Sequence, residues 1–212
     1  MTTLYLVRHC EATGNVLKQY QGSIDADITE NGANQLKLLS KRFENIKIDK
    51  FYSSPLKRAQ LTARSVADTK GMDVEIVKDL TEIAGGIFEG MTFEEIFKKY
   101  PEEENNWNHQ PHLYKSPEGE SMRAVYDRAV KAINKIIAEN KDKTIFVASH
   151  GGVIRTLMCY FLKVDFDNLN SVGWTKNTGV NIIEIDSDGN IKVVKENSLE
   201  HLSGDMVIDK MF

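Results

Sequence analysis

Apolar and polar residues alternate along this chain with two different periods. Short apolar runs bounded by polar or glycine residues read as buried strands over Thr3–Val7, Asp49–Tyr52, Val74–Val77 and Thr144–Ala148. Helical spacing fills the intervals. Thr29 is a capping residue ahead of a helix that places Leu36, Leu39 and Phe43 on one side. Ser53-Ser54-Pro55 follows the second strand. Serine caps, proline suits a first helical turn, and Leu56, Ala59, Ala63 and Val66 continue at helical spacing. Ser121–Asn140 is a strongly amphipathic stretch, with Val125, Ala129, Ala132, Ile133, Ile136 and Ile137 inward. Val153–Leu162 reads as an apolar helix. Val180–Ile185 and Ile191–Val194 flank Asp188-Gly189, a hairpin signal. The alternation predicts an α/β fold of three layers, α/β/α, around a mostly parallel sheet with an antiparallel edge strand.

One stretch breaks the rhythm. Gly85–Glu120 is rich in aromatic, acidic and polar residues and carries Pro101, Pro111 and Pro117. A long, weakly periodic excursion in a compact domain is often a lid or substrate loop. Residues 1–212 are therefore read as a single domain with a lid insertion at about 85–120. Within it Phe93, Phe97 and Tyr100 read as lid core, while Trp107 and Tyr114 fit either packing or substrate contact. Glu102-Glu103-Glu104 reads as a solvated charge cluster.

Composition narrows the partners. Hydrophobic content of 41% and charged content of 27% suit a soluble globular protein. A net charge of -4 with no basic face argues against nucleic acid. The absence of a long apolar run argues against a membrane span, and the charged N-terminal stretch against secretion. Two cysteines, Cys10 and Cys159, make no disulfide framework, so the expected compartment is the cytoplasm. Monomer and homodimer both remain open.

The chemistry gathers at predicted strand ends, where open α/β sheets bind their ligands. Arg8 and His9 follow the first strand, Arg58 lies early in the helix after the second, and His150 follows Thr144–Ala148. Gly151 and Gly152 then open a helix, whose N-terminal N–H groups favour an anion. Arginine forks suit phosphate oxygens. A histidine between two guanidiniums is disfavoured as a cation, and a neutral imidazole is a competent nucleophile toward phosphorus. Glu82 follows a strand at the start of the excursion and is the best-placed acid for a leaving alkoxide. Taken singly, each of these residues also has an ordinary structural reading. His109, His112 and His201 match no familiar zinc spacing and read as loop or surface residues. Cys10 is open between a small packing residue and a thiol activated by the neighbouring arginines.

Taken in order, the segments resemble the histidine phosphatase superfamily, in its phosphoglycerate mutase-like branch. Leu6-Val7-Arg8-His9-Cys10-Glu11-Ala12-Thr13-Gly14-Asn15 resembles the Arg-His-Gly-Glu-x-x-x-Asn signature, and Gln21-Gly22 the segment after it. Ser53-Ser54-Pro55-Leu56-Lys57-Arg58-Ala59 matches without a gap. Leu80-x-Glu82 with Gly86 and Phe88-Glu89-Gly90, then Pro117-Glu118-Gly119-Glu120-Ser121, Ser149-His150-Gly151-Gly152 and Asn177-Thr178 complete the set. The resemblance implies a phosphoglycerate mutase-like fold and a phosphohistidine on His9. It implies Arg8, Arg58 and His150 around the phosphate, Glu82 as proton donor, and Asn15, Gln21 and Gly22 lining the site. It implies no metal and no cofactor, and a small phosphomonoester as substrate. The chain departs from the pattern at Cys10, where glycine is usual, and at Gly14, where a bulky residue is common. Asp27 stands where proline is common, and Ala84-Gly85 lacks a frequent aromatic. The sparse lysines of the excursion, Lys98, Lys99 and Lys115, favour a phosphatase over a cofactor-dependent phosphoglycerate mutase. A phospho-ligand-binding pseudo-enzyme is the non-enzymatic alternative.

Overall fold

A computed structural model describes residues 1–207 of the chain. Its strands are β1 (Thr2–Arg8), β2 (Lys50–Ser53), β3 (Val74–Ile76), β4 (Thr144–Ser149), β5 (Val180–Ile185) and β6 (Ile191–Ser198). They form one sheet in the order β3-β2-β4-β1-β5-β6. The neighbours β3, β2, β4 and β1 are parallel. β5 runs antiparallel to β1, and β6 antiparallel to β5. The fold is the α/β arrangement that the alternation predicts. Gly189 at the β5–β6 turn has φ +84, a conformation that glycine adopts without strain.

Successive residues of the central strands face opposite layers, as a period of two dictates. Leu4, Leu6, Ile145 and Val147 point into one core with α6 (Met122–Glu139) and α7 (Gly151–Phe161). Val7, Phe146 and Ala148 point into the other, with α2 (Glu30–Arg42) and α3 (Lys57–Ala67). Each fully buried Leu, Ile, Val or Phe contributes about 1.5–3 kcal/mol relative to exposure. Thr29 caps α2 through the Gly32 N–H, and Ser121 caps α6 through the Ala124 N–H. α7 starts at Gly151, two residues ahead of the apolar pattern, directly after His150, whose backbone is extended at the N-cap position.

The 85–120 stretch is more ordered than its composition suggests. It holds α4 (Phe93–Lys99) and α5 (Pro101–His109). Thr92 and Glu95 form a reciprocal capping box on α4. Pro101 opens α5, with Glu102, Glu103 and Glu104 in its first turn. Those acids therefore complement a helix dipole as well as facing water. Phe88, Ile96, Trp107 and Tyr114 are buried in the same core as α6 and α7. No helix among the described residues is long and apolar enough to cross a membrane.

Candidate active site

The parallel register brings the chemistry together. Arg8 is level with Ser149, and Ser53 with Ala148, so the chain leaves β1, β2 and β4 on the same side. His9, His150 and the start of α3 meet there, at a cleft lined by Arg8, His9, Arg58 and Glu82 among others.

His9 is almost wholly buried. Its backbone N–H donates to Ser149 O at 2.9 Å, which extends the β1–β4 ladder by one residue. Its ring Nδ1 lies 2.6 Å from Cys10 O, so Nδ1 carries the proton and donates. Nε2 is then the nitrogen with the lone pair. Burial, followed by the Arg58 and Arg8 charges, holds the His9 pKa well below the usual histidine value. The ring is neutral near pH 7. His150 lies with its ring centroid 5.2 Å from that of His9. Burial, Arg58, His9 and Arg8 likewise push its pKa far down.

The arginines are held by backbone carbonyls. Arg8 donates to Thr175 O at 2.9 Å. Arg58 donates to Ile24 O at 2.6 Å and Gly22 O at 3.0 Å. Burial brings the Arg8 pKa down to about 10, which still leaves it charged at neutral pH. Gly22 has φ +48, and a Cβ there would sit 2.3 Å from Glu89 Oε1. Glu89 accepts from the N–H groups of Ser23 and Gly85, both at 2.9 Å. A glycine at 22 thus lets the loop that orients Arg58 fold onto the residues after Glu82.

Glu82 also lines the cleft. Its carboxylate accepts from Ile83 N–H at 3.0 Å and from Gly152 N–H at 3.2 Å. A Cβ on Gly152 would come within 2.8 Å of that carboxylate, so glycine admits Glu82 to the N-terminus of α7. Behind Glu82, Arg128 donates to Glu82 O and forms a 2.8 Å ion pair with Glu120. Glu120 in turn accepts from Ala84 N–H. This Pro117–Ser121 tie explains why that motif accompanies the acid-bearing segment.

The structure places Asn15, Gln21, Gly22 and Gly151 on the cleft, together with Arg8, Arg58 and His9. His150 lies behind the lining, beside His9. Asn15 Oδ1 accepts from Ala12 N–H, and Asn177 Nδ2 donates to His9 O at 3.0 Å. Gly14 has a reason here: a Cβ would lie 2.3 Å from Gln21 Cγ, so its absence makes room for Gln21. Among residues that sequence reasoning missed, Trp174 lines the cleft and stacks on Trp107 with ring centroids 5.6 Å apart. Arg155 sits 4.6 Å from the Trp174 ring. The one available signal was scarcity, because Trp107 and Trp174 are the chain's two tryptophans. His109 is exposed, and His201 lies between Arg42 and Thr178, away from the cleft.

Cys10 departs from the activated-thiol expectation. It is fully buried and does not line the cleft. Its backbone N–H donates to Thr62 on α3. Burial outweighs the Arg58 charge and pushes the thiol pKa up to about 11. Cys10 is expected to resist thiol reagents in the native protein and to react only on unfolding. Peroxide is expected to inactivate wild type and Cys10→Gly at equal rates. Faster inactivation of the wild type, prevented by phosphate, would show a reactive thiol instead.

Comparison with known proteins places this geometry. The chain is 35% identical to phosphoserine phosphatase 1 of Hydrogenobacter thermophilus over 202 residues, 95% of each chain. It is 32% identical to a metal-independent phosphoserine phosphatase of Arabidopsis thaliana, covering 87% of this chain and 77% of that one. Among solved structures, Bacillus stearothermophilus YhfR superposes with a TM-score of 0.90 at 34% identity, over 95% of this chain and 99% of that one. The family model described as histidine phosphatase superfamily (branch 1) matches residues 4–198. A match over that span, with the strand-end histidines and arginines in one cleft, makes the chain a member of the histidine phosphatase superfamily.

Proposed function

We propose that this protein hydrolyses small phosphomonoesters through a phosphohistidine on His9, with Glu82 as proton donor and no metal ion. Phosphomonoester hydrolysis is supported by the family together with the phosphoserine phosphatases among its relatives. The observation that carries the mechanism is the Nδ1–Cys10 O hydrogen bond, which leaves Nε2 of a neutral His9 unprotonated beside two arginines. In the first step the Nε2 lone pair forms the N–P bond, the P–O bond breaks, and Glu82 gives its proton to the departing oxygen. In the second, water attacks phosphorus, Glu82 takes the water's proton, and the N–P bond breaks to return the lone pair to Nε2. Arg8, Arg58, His150 and the Gly151 end of α7 stabilise charge on the transferring phosphoryl group.

The leaving group would lie between Tyr20, Phe93, Trp107 and Trp174, which line the cleft. The 85–120 segment supplies Phe93 and Trp107, which supports its reading as a substrate-contacting insertion of one domain. Gln21 Oε1 is buried without a hydrogen-bond partner and is available to a ligand. Phosphoserine is the first substrate to test, since it is the substrate in the names of the two curated relatives. The test is a substrate screen with rapid quench of a ³²P-labelled ester. An acid-labile phosphoenzyme followed by inorganic phosphate supports hydrolysis. Transfer to a second hydroxyl would indicate a mutase, and binding without labelling a pseudo-enzyme.

The substrate's charge is met by two guanidiniums and a helix N-terminus, and Glu82 is the one carboxylate lining the cleft among the described residues. Full activity is therefore expected after exhaustive chelation. Loss of activity in EDTA that a divalent cation restores would contradict the metal-free reading.

A further inference from the structure

Ser54, just past β2, holds the far side of the His150 ring. The structure assigns it a positioning role: the Ser54 hydroxyl decides which nitrogen of His150 carries the proton, and so presents an N–H to the phosphoryl oxygens. This rests on the phosphohistidine reading above. Ser54 Oγ lies 2.7 Å from His150 Nε2, and both residues are fully buried. Ser54 Oγ already accepts from Leu56 N–H at 3.3 Å. Suppose Nε2 carried the proton. Ser54 would then accept twice, and its own hydroxyl proton would have no acceptor in a buried site. Such a group costs about 1–3 kcal/mol. With Nε2 unprotonated, the Ser54 hydroxyl donates to it, and both the hydroxyl proton and the Nε2 lone pair are satisfied. The ring proton then sits on Nδ1.

His150 Nδ1 is buried and has no hydrogen-bond partner. An N–H left unpaired in the free protein is a donor reserved for something that arrives later. The His9 ring centroid stands 5.2 Å away, so a phosphoryl group on His9 would bring acceptor oxygens beside this ring. The charge state makes the device necessary. An imidazolium would offer N–H groups on both nitrogens and would need no help from Ser54. A neutral ring has one N–H, and on the wrong nitrogen it would point a lone pair at an anion.

The experiment compares full-length wild type, Ser54→Ala and Ser54→Thr. Ring ¹⁵N NMR of histidine-labelled protein reads the tautomer of His150. Rapid quench reads the rate of phosphoenzyme formation, and thermal midpoints report folding. Wild type and Ser54→Thr are expected to hold the Nδ1–H form, and Ser54→Ala to populate the Nε2–H form. Phosphoenzyme formation in Ser54→Ala is expected to fall on the order of tenfold or more, the loss of about one hydrogen bond to a charged group. Inorganic phosphate should inhibit that variant more weakly by a similar factor. Should Ser54→Ala fold poorly, Ser54→Cys, similar in size and a weak donor, carries the same test. An unchanged His150 tautomer in the alanine variant overturns the assignment. So does an equal rate loss in the threonine variant when both fold normally. The tautomer is read without turnover, so it judges Ser54 even if wild type forms no phosphoenzyme, a result that would instead sink the mechanism.

Discussion

His9→Ala is expected to lose at least about 10⁴-fold in kcat and to form no acid-labile phosphoenzyme. No neighbour can take over the attack. His150 Nε2 is engaged by Ser54, and Cys10 is packed against α3 with its thiol held neutral. The fold should survive, since alanine removes a ring but leaves the backbone bonds of His9 to Ser149 and Asn177 in place. A second readout separates this variant from a merely damaged protein. The folded-state pKa of His9 is depressed, while the unfolded chain takes up a proton near 6.5. The unfolded state then binds more protons as pH falls, so wild type loses stability below about pH 6.5, by at most about 1.4 kcal/mol per pH unit for each such histidine. His9→Ala removes one of these contributions, and its stability should decline less steeply toward pH 5. Turnover near the wild-type rate, or labelling at another residue, would refute His9 as the nucleophile.

The second large effect belongs to Glu82. General acid catalysis is worth about 10²–10⁴-fold, and its value depends on how badly the leaving oxygen needs a proton. Glu82→Gln is close in shape and keeps one of the two oxygens, so it can accept from the Ile83 or the Gly152 N–H but not from each with its own oxygen. It should slow phosphorylation by alkyl esters within that range and leave p-nitrophenyl phosphate nearly untouched in a single turnover. Dephosphorylation should also slow, because the same carboxylate accepts the water's proton, and phosphoenzyme should accumulate with the nitrophenyl ester. Equal losses for both esters in the phosphorylation step would argue that Glu82 positions α7 rather than moving a proton.

The parallel core and the strand-end cluster were legible because both rest on local signals. β-branched runs ending in Arg8-His9 and Ser149-His150 fix strand, exit point and chemistry together. The two short helices after Gly85 left fainter traces. Thr92-x-x-Glu95 and Pro101 with its following acids are start signals, but seven and nine residues give little periodicity to support them. The residues that hold the catalytic groups were harder to see. Ser54, Arg128 and Glu120 act through partners between 8 and 96 positions away in sequence, and no spacing rule links them. Trp174 lies between α7 and β5 in a stretch without period, and only the tertiary fold turns it toward Trp107. Cys10 stood open between packing and activation because sequence shows the charges around it but not its burial, and burial decides the matter.

The sheet order also sets when this protein can exist during synthesis. β1 is made first, yet both its partners come late: β4 at Thr144–Ser149 and β5 at Val180–Ile185. Until residue 144 has left the ribosome, the strand that ends in His9 has no ladder to join, and β2 has only the three-residue β3. Pairings this distant make folding slow and leave apolar strands exposed meanwhile. A chain stopped short of β4 would lack His150, the Gly151–Gly152 and Trp174 side of the cleft and the centre of the sheet together. Activity and folded structure should therefore appear in a single late event, with no partly active fragment along the way.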